Sequence, residues 1–350
     1  MARTKTILII GGGLSGLTLA YLAKQKNIKV TVLEAAGRPG GRIHTILGEN
    51  KTPLELGATW FSDQHRSLLN LIDELDLRKF PQYDQGITLF QTKSFEPAQR
   101  FHIPESTQPS YRLAGGTGAL IQTLAAKLPP GSLHLNAVVN QVQETDNGIR
   151  AILKDGRYFE GDQAFICLPP QVAAAHLRFS PSLPGTLQQI LPEVQTWMAG
   201  AVKFTVEYDR PFWRTNGYSG MLYSHAGVIT EMYDHTNFEE DKFGFTGFLN
   251  AGVQHYEAAT RREYVLSQLS LLFGEPAAHP TGYYDKIWNE PTLMAGQQVF
   301  RRAHFNNGHP TLQEAYMNGK LLFAGSETAS LHPGYMEGAV AAAIQAASQL

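Results

Sequence analysis

The hydrophobic pattern is densest at the start of the chain. Ile7-Leu8-Ile9-Ile10 is an unbroken apolar run, which predicts a strand covered on both faces, as in a parallel sheet. It leads directly into Gly11-Gly12-Gly13-Leu14-Ser15-Gly16. Residues 17–26 then read as a helix, and residues 28–33 as a second strand that ends on Glu34. Further on, Leu68, Leu71, Ile72 and Leu75 recur at helical spacing and predict an amphipathic helix over 64–76. Residues 81–110 show little period and are broken by Pro97, Pro104 and Pro109, so they read as an insertion leaving the first domain. A helix carrying Leu120, Ile121, Leu124 and Leu128 follows the loop Tyr111-Arg112-Leu113-Ala114-Gly115-Gly116-Thr117-Gly118, but no apolar strand feeds that loop.

Short strands are predicted at 133–142, 148–153 and 157–159, with turns at Asn147-Gly148 and Asp155-Gly156. Another buried strand at 164–168 stops at Pro169-Pro170, and its Cys167 reads as a small core residue. Residues 201–209 alternate strictly. Val202, Phe204, Val206 and Tyr208 share one face, while Lys203, Thr205, Glu207 and Asp209 share the other. Taken by period alone, Lys203 therefore belongs to a solvated outer face. A helix over 261–273, a last strand at 321–325 and a helix opening within 334–339 complete the pattern.

The opening stretch has a specific chemical meaning. Gly11 permits a tight turn out of the strand, Gly13 lets the backbone approach a pyrophosphate, and Gly16 lets helix and strand pack closely. The start of the following helix, just beyond Leu14 and Ser15 of the loop, offers free N–H groups and a positive dipole end to phosphate. Glu34 can accept hydrogen bonds from a ribose hydroxyl. Strand, glycine loop, helix, second strand and acidic end all stand where a Rossmann dinucleotide fingerprint needs them.

Bulk properties narrow the rest. The length of 350 residues suggests about two domains. A net charge of −2 gives no electrostatic case for nucleic acid or an anionic membrane. One cysteine excludes an internal disulfide framework, and no apolar stretch is long enough for a membrane anchor. The expected location is cytoplasmic. No metal site is expected, because the histidines fall in neither a His-x-His nor an H-E-x-x-H arrangement, and no G-x-S-x-G occurs.

Several segments, in order, resemble the flavin-containing amine oxidase family, which includes monoamine and polyamine oxidases. They are the Gly11–Gly16 loop with Glu34, Arg38-Pro39-Gly40-Gly41-Arg42, Leu56-Gly57-Ala58-Thr59-Trp60 and Leu168-Pro169-Pro170. Lys203 followed by Arg210-Pro211-Phe212-Trp213, then Trp288, continues the series. It closes with Ala324-Gly325-Ser326-Glu327-Thr328-Ala329 and Gly334-Tyr335-Met336-Glu337-Gly338-Ala339. The resemblance implies an α/β fold: a Rossmann-type FAD-binding domain with an inserted α+β substrate domain, a mixed sheet plus helices. The FAD domain is expected over 1–81, 111–181 and 290–350, and the substrate domain over 82–110 and 182–289.

The resemblance also implies FAD, a small-molecule amine substrate and O2. Glu34 and Ala35 would hold the adenosine ribose, Val138 the adenine through its backbone, and Gly41 and Arg42 the pyrophosphate region. Gly57, Ala58, Thr59, Trp60, Trp288 and Gly325 would complete the cradle, with Glu327 near the pyrophosphate and ribityl chain. The helix opening at Tyr335-Met336 would aim its N–H groups at the flavin's pyrimidine edge, where negative charge develops on reduction. Lys203 matches the family's lysine that holds a water near flavin N5. Gln297 stands where covalently flavinylated members carry cysteine, which implies non-covalent FAD. Gln298 stands where those members carry an aromatic, so of the family's two-ring amine cage only Tyr335 is present. For an amino-acid substrate, Arg100, Arg112, Arg214, Arg301 and Arg302 are the candidate carboxylate partners. Two other readings stay open: a C–C desaturase or porphyrinogen-type oxidase on the same scaffold, and a flavin-binding redox protein without turnover.

Overall fold

The computed structural model describes residues 4–104, 108–289 and 303–350. Thr6–Ile10 lies at the centre of a six-stranded sheet, flanked by Lys29–Leu33 and Gln163–Ile166, with Leu133–His134 and Leu321–Phe323 farther out. These five strands run parallel, and Ala315–Tyr316 adds an antiparallel edge. Ile7, Leu8 and Ile9 are fully buried, as a strand covered on both faces requires. One face packs on the helices Leu14–Gln25, Arg66–Glu74, Gly118–Lys127 and Met336–Ala347. The other packs against a four-stranded sheet built from residues between Val139 and Ser180.

A seven-stranded sheet forms a third core with the helix Ala258–Phe273. Its order is Gly282–Ile287, Val202–Tyr208, Phe243–Leu249, Ile229–Asp234, Tyr218–Ser224, Ile87–Gln91 and Gln99–His102. The stretch 81–110, read as aperiodic, thus supplies two strands to this sheet. Its prolines Pro97 and Pro104 flank the Gln99–His102 strand rather than interrupt it.

Three sequence expectations need correction. The strand expected at 133–142 splits into Leu133–His134 and Val139–Thr145, because Asn136 takes a positive φ and turns the chain. Pro169-Pro170 ends a strand as expected, but Pro170 also opens a helix, Pro170–His176, since the first helical turn needs no proline N–H. The largest correction concerns Val202–Tyr208, in which all seven residues are buried. Its apolar face meets the helix Ala258–Phe273, while its polar face is covered by residues of the N-terminal part. There Glu207 accepts hydrogen bonds from the N–H groups of Asn50 (3.2 Å) and Thr52 (3.3 Å).

Candidate functional site

A cleft enclosing about 760 Å³ of open space runs along the carboxyl ends of the parallel strands. That is where open α/β sheets hold ligands. Gly11, Gly13, Leu14 and Ser15 line it from the glycine loop, Glu34 and Ala35 from the second strand, and Gly41, Arg42 and Ala58 from the following loops. Tyr335 and Met336 close it from the C-terminal part. The helix Leu14–Gln25 starts at Gly13 and the helix Met336–Ala347 at Tyr335, and neither start has a side-chain cap. Two sets of first-turn N–H groups therefore remain available at one cleft.

Glycine is structurally required in the loop. A Cβ on Gly16 would run into the Gly11 carbonyl oxygen, and one on Gly11, at φ +110°, would lie 2.8 Å from the Cys167 carbonyl oxygen. Gly13 faces Gly41 across the cleft floor, where a Cβ on Gly13 would still stand 4.0 Å from Gly41 Cα. Glu34, 6% exposed, accepts hydrogen bonds from the N–H groups of Gly12 (2.6 Å) and Ala36 (2.8 Å). Burial raises its pKa above the usual carboxylate range, with these backbone donors opposing the shift.

The other expected cofactor residues lie one layer behind. Glu327 is fully buried and bridges to the cleft through Arg42 (2.6 Å) and Ser326 (3.0 Å). Gly325 Cβ space is closed by the Leu168 carbonyl. Trp288 donates its indole N–H to the Leu56 carbonyl at 2.7 Å, which fixes the start of the Gly57-Ala58-Thr59-Trp60 loop. Val138 is not among the lining residues, and its carbonyl accepts the Lys154 N–H at 2.8 Å. Gln297, Gln298, Arg301 and Arg302 lie outside the described residues.

Lys203, 2% exposed, is the one buried lysine among the described residues. Its ammonium donates to the Gly57 carbonyl at 2.6 Å and to Thr59 Oγ1, and lies 4.8 Å from the centre of the Trp60 ring. Gly57 and Thr59 flank Ala58, which lines the cleft. Two of the three ammonium hydrogens are thus committed, leaving one donor. Burial pushes the Lys203 pKa down to about 7; Glu55 opposes the shift and Arg112 adds to it. The solvated lysine expected from alternation is therefore a desolvated one, with its charge close to balance at neutral pH.

Tyr335 does not stand alone. His304 stacks on it at 5.5 Å and 22°, Trp197 stacks on His304 at 4.4 Å and 23°, and Trp197 lies 5.8 Å from Tyr335. Gly334 makes this possible, since a Cβ there would stand 2.8 Å from Trp197 Cβ. Nothing in the sequence pattern marked Trp197 or His304. Cys167, Leu168, Pro169 and Ser326 also line the cleft. For the first three the available signal was their position just past the end of a parallel strand.

The candidate carboxylate partners are largely committed elsewhere. Arg214 forms a two-pronged ion pair with Asp234 (2.7 and 2.9 Å), and Arg112 bonds His235 Nδ1 (2.7 Å) and the Thr236 carbonyl. Arg100 is exposed, beside the Tyr218 ring.

A doubly covered parallel sheet with an uncapped glycine-loop helix at the carboxyl ends of its strands defines a dinucleotide-cofactor architecture. The family model for flavin containing amine oxidoreductases matches residues 14–102 and 92–350, and the chain belongs to that family. It is accordingly an enzyme with a flavin cofactor. The probable flavin-containing monoamine oxidase A of Dictyostelium discoideum is 24% identical over 100% of this chain and 98% of its own length. An L-amino acid dehydrogenase from Synechocystis is 23% identical over 95% and 92%. Among solved structures, putrescine oxidase bound to putrescine aligns with a TM-score of 0.83 at 20% identity, covering 99% of this chain and 98% of that one. Cyclohexylamine oxidase from Brevibacterium oxydans aligns with a TM-score of 0.83 at 19% identity, with the same coverage. Among the described residues no helix is long and apolar enough to cross a membrane.

Proposed function

We propose that this enzyme oxidises the C–N bond of a small amine to an imine, with non-covalent FAD as the first acceptor and O2 as the second. The glycine loop would hold the pyrophosphate, and Glu34 would turn a carboxylate oxygen toward the adenosine ribose. The loop 57–60 and the Tyr335-Met336 helix start would flank the ring system. Two uncapped helix starts and a floor of opposed glycines support this fit, because they offer donors and clearance without a competing side chain. The FAD-binding domain would comprise 1–81, 111–181 and 290–350, and the substrate domain 82–110 and 182–289.

When bound, the flavin would supply a two-electron acceptor for a hydride equivalent from the amine's α carbon, which together with one proton would reduce O2 to H2O2. The chain's own groups do the rest. Trp197, His304 and Tyr335 form a ring surface that can orient an uncharged amine and exclude water. Lys203 keeps one N–H free to stabilise charge developing on oxygen, and at a pKa of about 7 it can both carry and release a proton. The observation that carries the reading is this buried lysine, anchored to the carbonyl and hydroxyl on either side of the cleft-lining Ala58.

A peroxide-coupled screen over monoamines, diamines, polyamines and L- and D-amino acids tests it. At least one amine class should yield peroxide. Substrate-dependent bleaching of the flavin without peroxide would instead indicate a dehydrogenase. Acid precipitation should leave the flavin in solution, and colour retained in the pellet would contradict non-covalent binding.

A further inference from the structure

Beyond Thr59, a partner of the Lys203 ammonium, two cavities adjoin that share no lining residue with the cleft. The outer one encloses about 1100 Å³ of open space and is walled near the surface by Asp84, Gln85 and Glu240. The inner one is lined by Glu55, Thr59 and His235, and has room for about one water molecule. Phe80, Arg112, Asn237 and Phe238 belong to the walls of both, so they form the neck between them.

The inner lining is ionisable and shielded from bulk solvent, and burial holds the His235 pKa well below the ordinary histidine range. Glu55 is 1% exposed, Arg112 4% and His235 3%. The Glu55 carboxylate accepts hydrogen bonds from Thr45 Oγ1 (3.0 Å), Thr117 Oγ1 (3.0 Å) and the Thr117 N–H. Among the described residues neither Lys203 nor Arg112 bonds it directly. Among the described residues the Arg112 Nε–H, in the neck, and the Thr236 hydroxyl, on the outer cavity, are buried without a protein partner. Buried polar groups of this kind are costly unless water completes their bonding. Thr59 joins the cavity to the lysine, since it lines the space and its Oγ1 accepts from the Lys203 ammonium.

We propose that the two cavities form a water-filled proton route from the surface to Lys203, with Glu55, Arg112 and Thr59 as positioning residues that hold the innermost water beside the ammonium. The need follows from the amine-oxidase reading, on which this inference rests. In R–CH2–NH3⁺ + O2 → R–CH=NH2⁺ + H2O2, a proton leaves nitrogen and a hydride leaves carbon, and both end on oxygen. The proton lost where the amine enters must be matched by one delivered where O2 is reduced. A route through cavities whose linings are separate from the cleft's delivers it without wetting the cleft.

The charged groups facing Lys203 give the test a sign. Glu55 and Glu231 hold its proton on, Arg112 drives it off, and Lys286 is its register neighbour on the adjoining strand, with its ammonium 4.8 Å from the centre of the Trp288 ring. In holoenzyme labelled with ¹⁵N-lysine, the Lys203 side-chain signal is assigned by its loss in Lys203→Met. Its titration midpoint should fall by about 0.5–1 pH unit in Glu55→Gln and rise by a similar amount in Arg112→Gln. The pH inflection of the O2 step should move in the same two directions. Shifts of one sign in both variants, or none, would overturn the proposal, because structural loosening alone does not reverse sign. Phe238→Trp, which narrows the neck, should slow hydrogen exchange at Lys203 Nζ at least tenfold with flavin content unchanged. An unchanged exchange rate would also overturn it. These NMR readouts need no substrate, so failure of the amine screen and failure of the proton route are separate results.

Discussion

The glycine cradle and the lysine pocket are both buried, yet they are built in opposite ways. The cradle is local: strand, turn, helix and acidic end follow one another within residues 6–34, and its donors are backbone N–H groups set by helix geometry. The lysine pocket is assembled from afar. Lys203 comes from one sheet, Gly57, Thr59 and Glu55 from the N-terminal part, Arg112 from the strand Tyr111–Leu113, and Trp288 from beyond the helix Ala258–Phe273. A local backbone site is sensitive to any added atom. An assembled side-chain site is sensitive to charge and pairing.

That contrast can be broken by substitution, and the largest effect belongs in the cradle. Gly16→Val should abolish flavin retention, because any side chain there collides with the Gly11 carbonyl. The flavin-to-protein absorbance ratio reads this, and a yellow Gly16→Val would refute the cradle geometry. Next, Lys203→Met should slow reoxidation of the flavin by O2 by about 10²-fold while flavin affinity changes little. Stopped-flow and equilibrium binding measure the two, and equal losses would remove the lysine from the chemistry. Glu34→Ala should weaken flavin binding by about 1–3 kcal/mol, as for a lost hydrogen bond to a charged group. An unchanged dissociation constant would take Glu34 out of the site.

The smallest effect concerns stability. The folded pKa of Lys203, about 7, lies below its unfolded value of 10.5. Between these values the unfolded chain binds more protons, so the lysine's contribution to stability rises with pH. Relative to Lys203→Met, the wild type should gain about 1 kcal/mol from pH 7 to pH 8, measured by denaturant unfolding. A pH-independent difference would mean that the ammonium is not desolvated.

The same contrast explains what could be read from the sequence. The cradle was legible because its meaning lies in contiguous spacing. The doubly covered strand, the helix start at Gly13 and the buried Glu34 all follow from residues 6–34. The lysine was misread by period, because alternation reports two faces of a strand and not what covers them. Glu207 and Lys203 look solvated until the segment holding Asn50, Thr52 and Thr59 folds over them. Only resemblance to a known family singled out Lys203. Glu55, Arg112 and His235 gave no signal as a group, since their sequence separation exceeds any local pattern. Trp197 and His304 meet Tyr335 only through the tertiary fold, with Gly334 clearing the space.

The central claim is that these two unlike regions serve one flavin and direct it at an amine. The most direct measurement is anaerobic titration of the purified protein with an amine panel, following the flavin's visible absorbance before and after O2 is admitted. The account predicts a yellow protein that at least one amine bleaches, whose colour returns with O2 far more slowly in Lys203→Met. A flavin-loaded protein that no amine bleaches would contradict it.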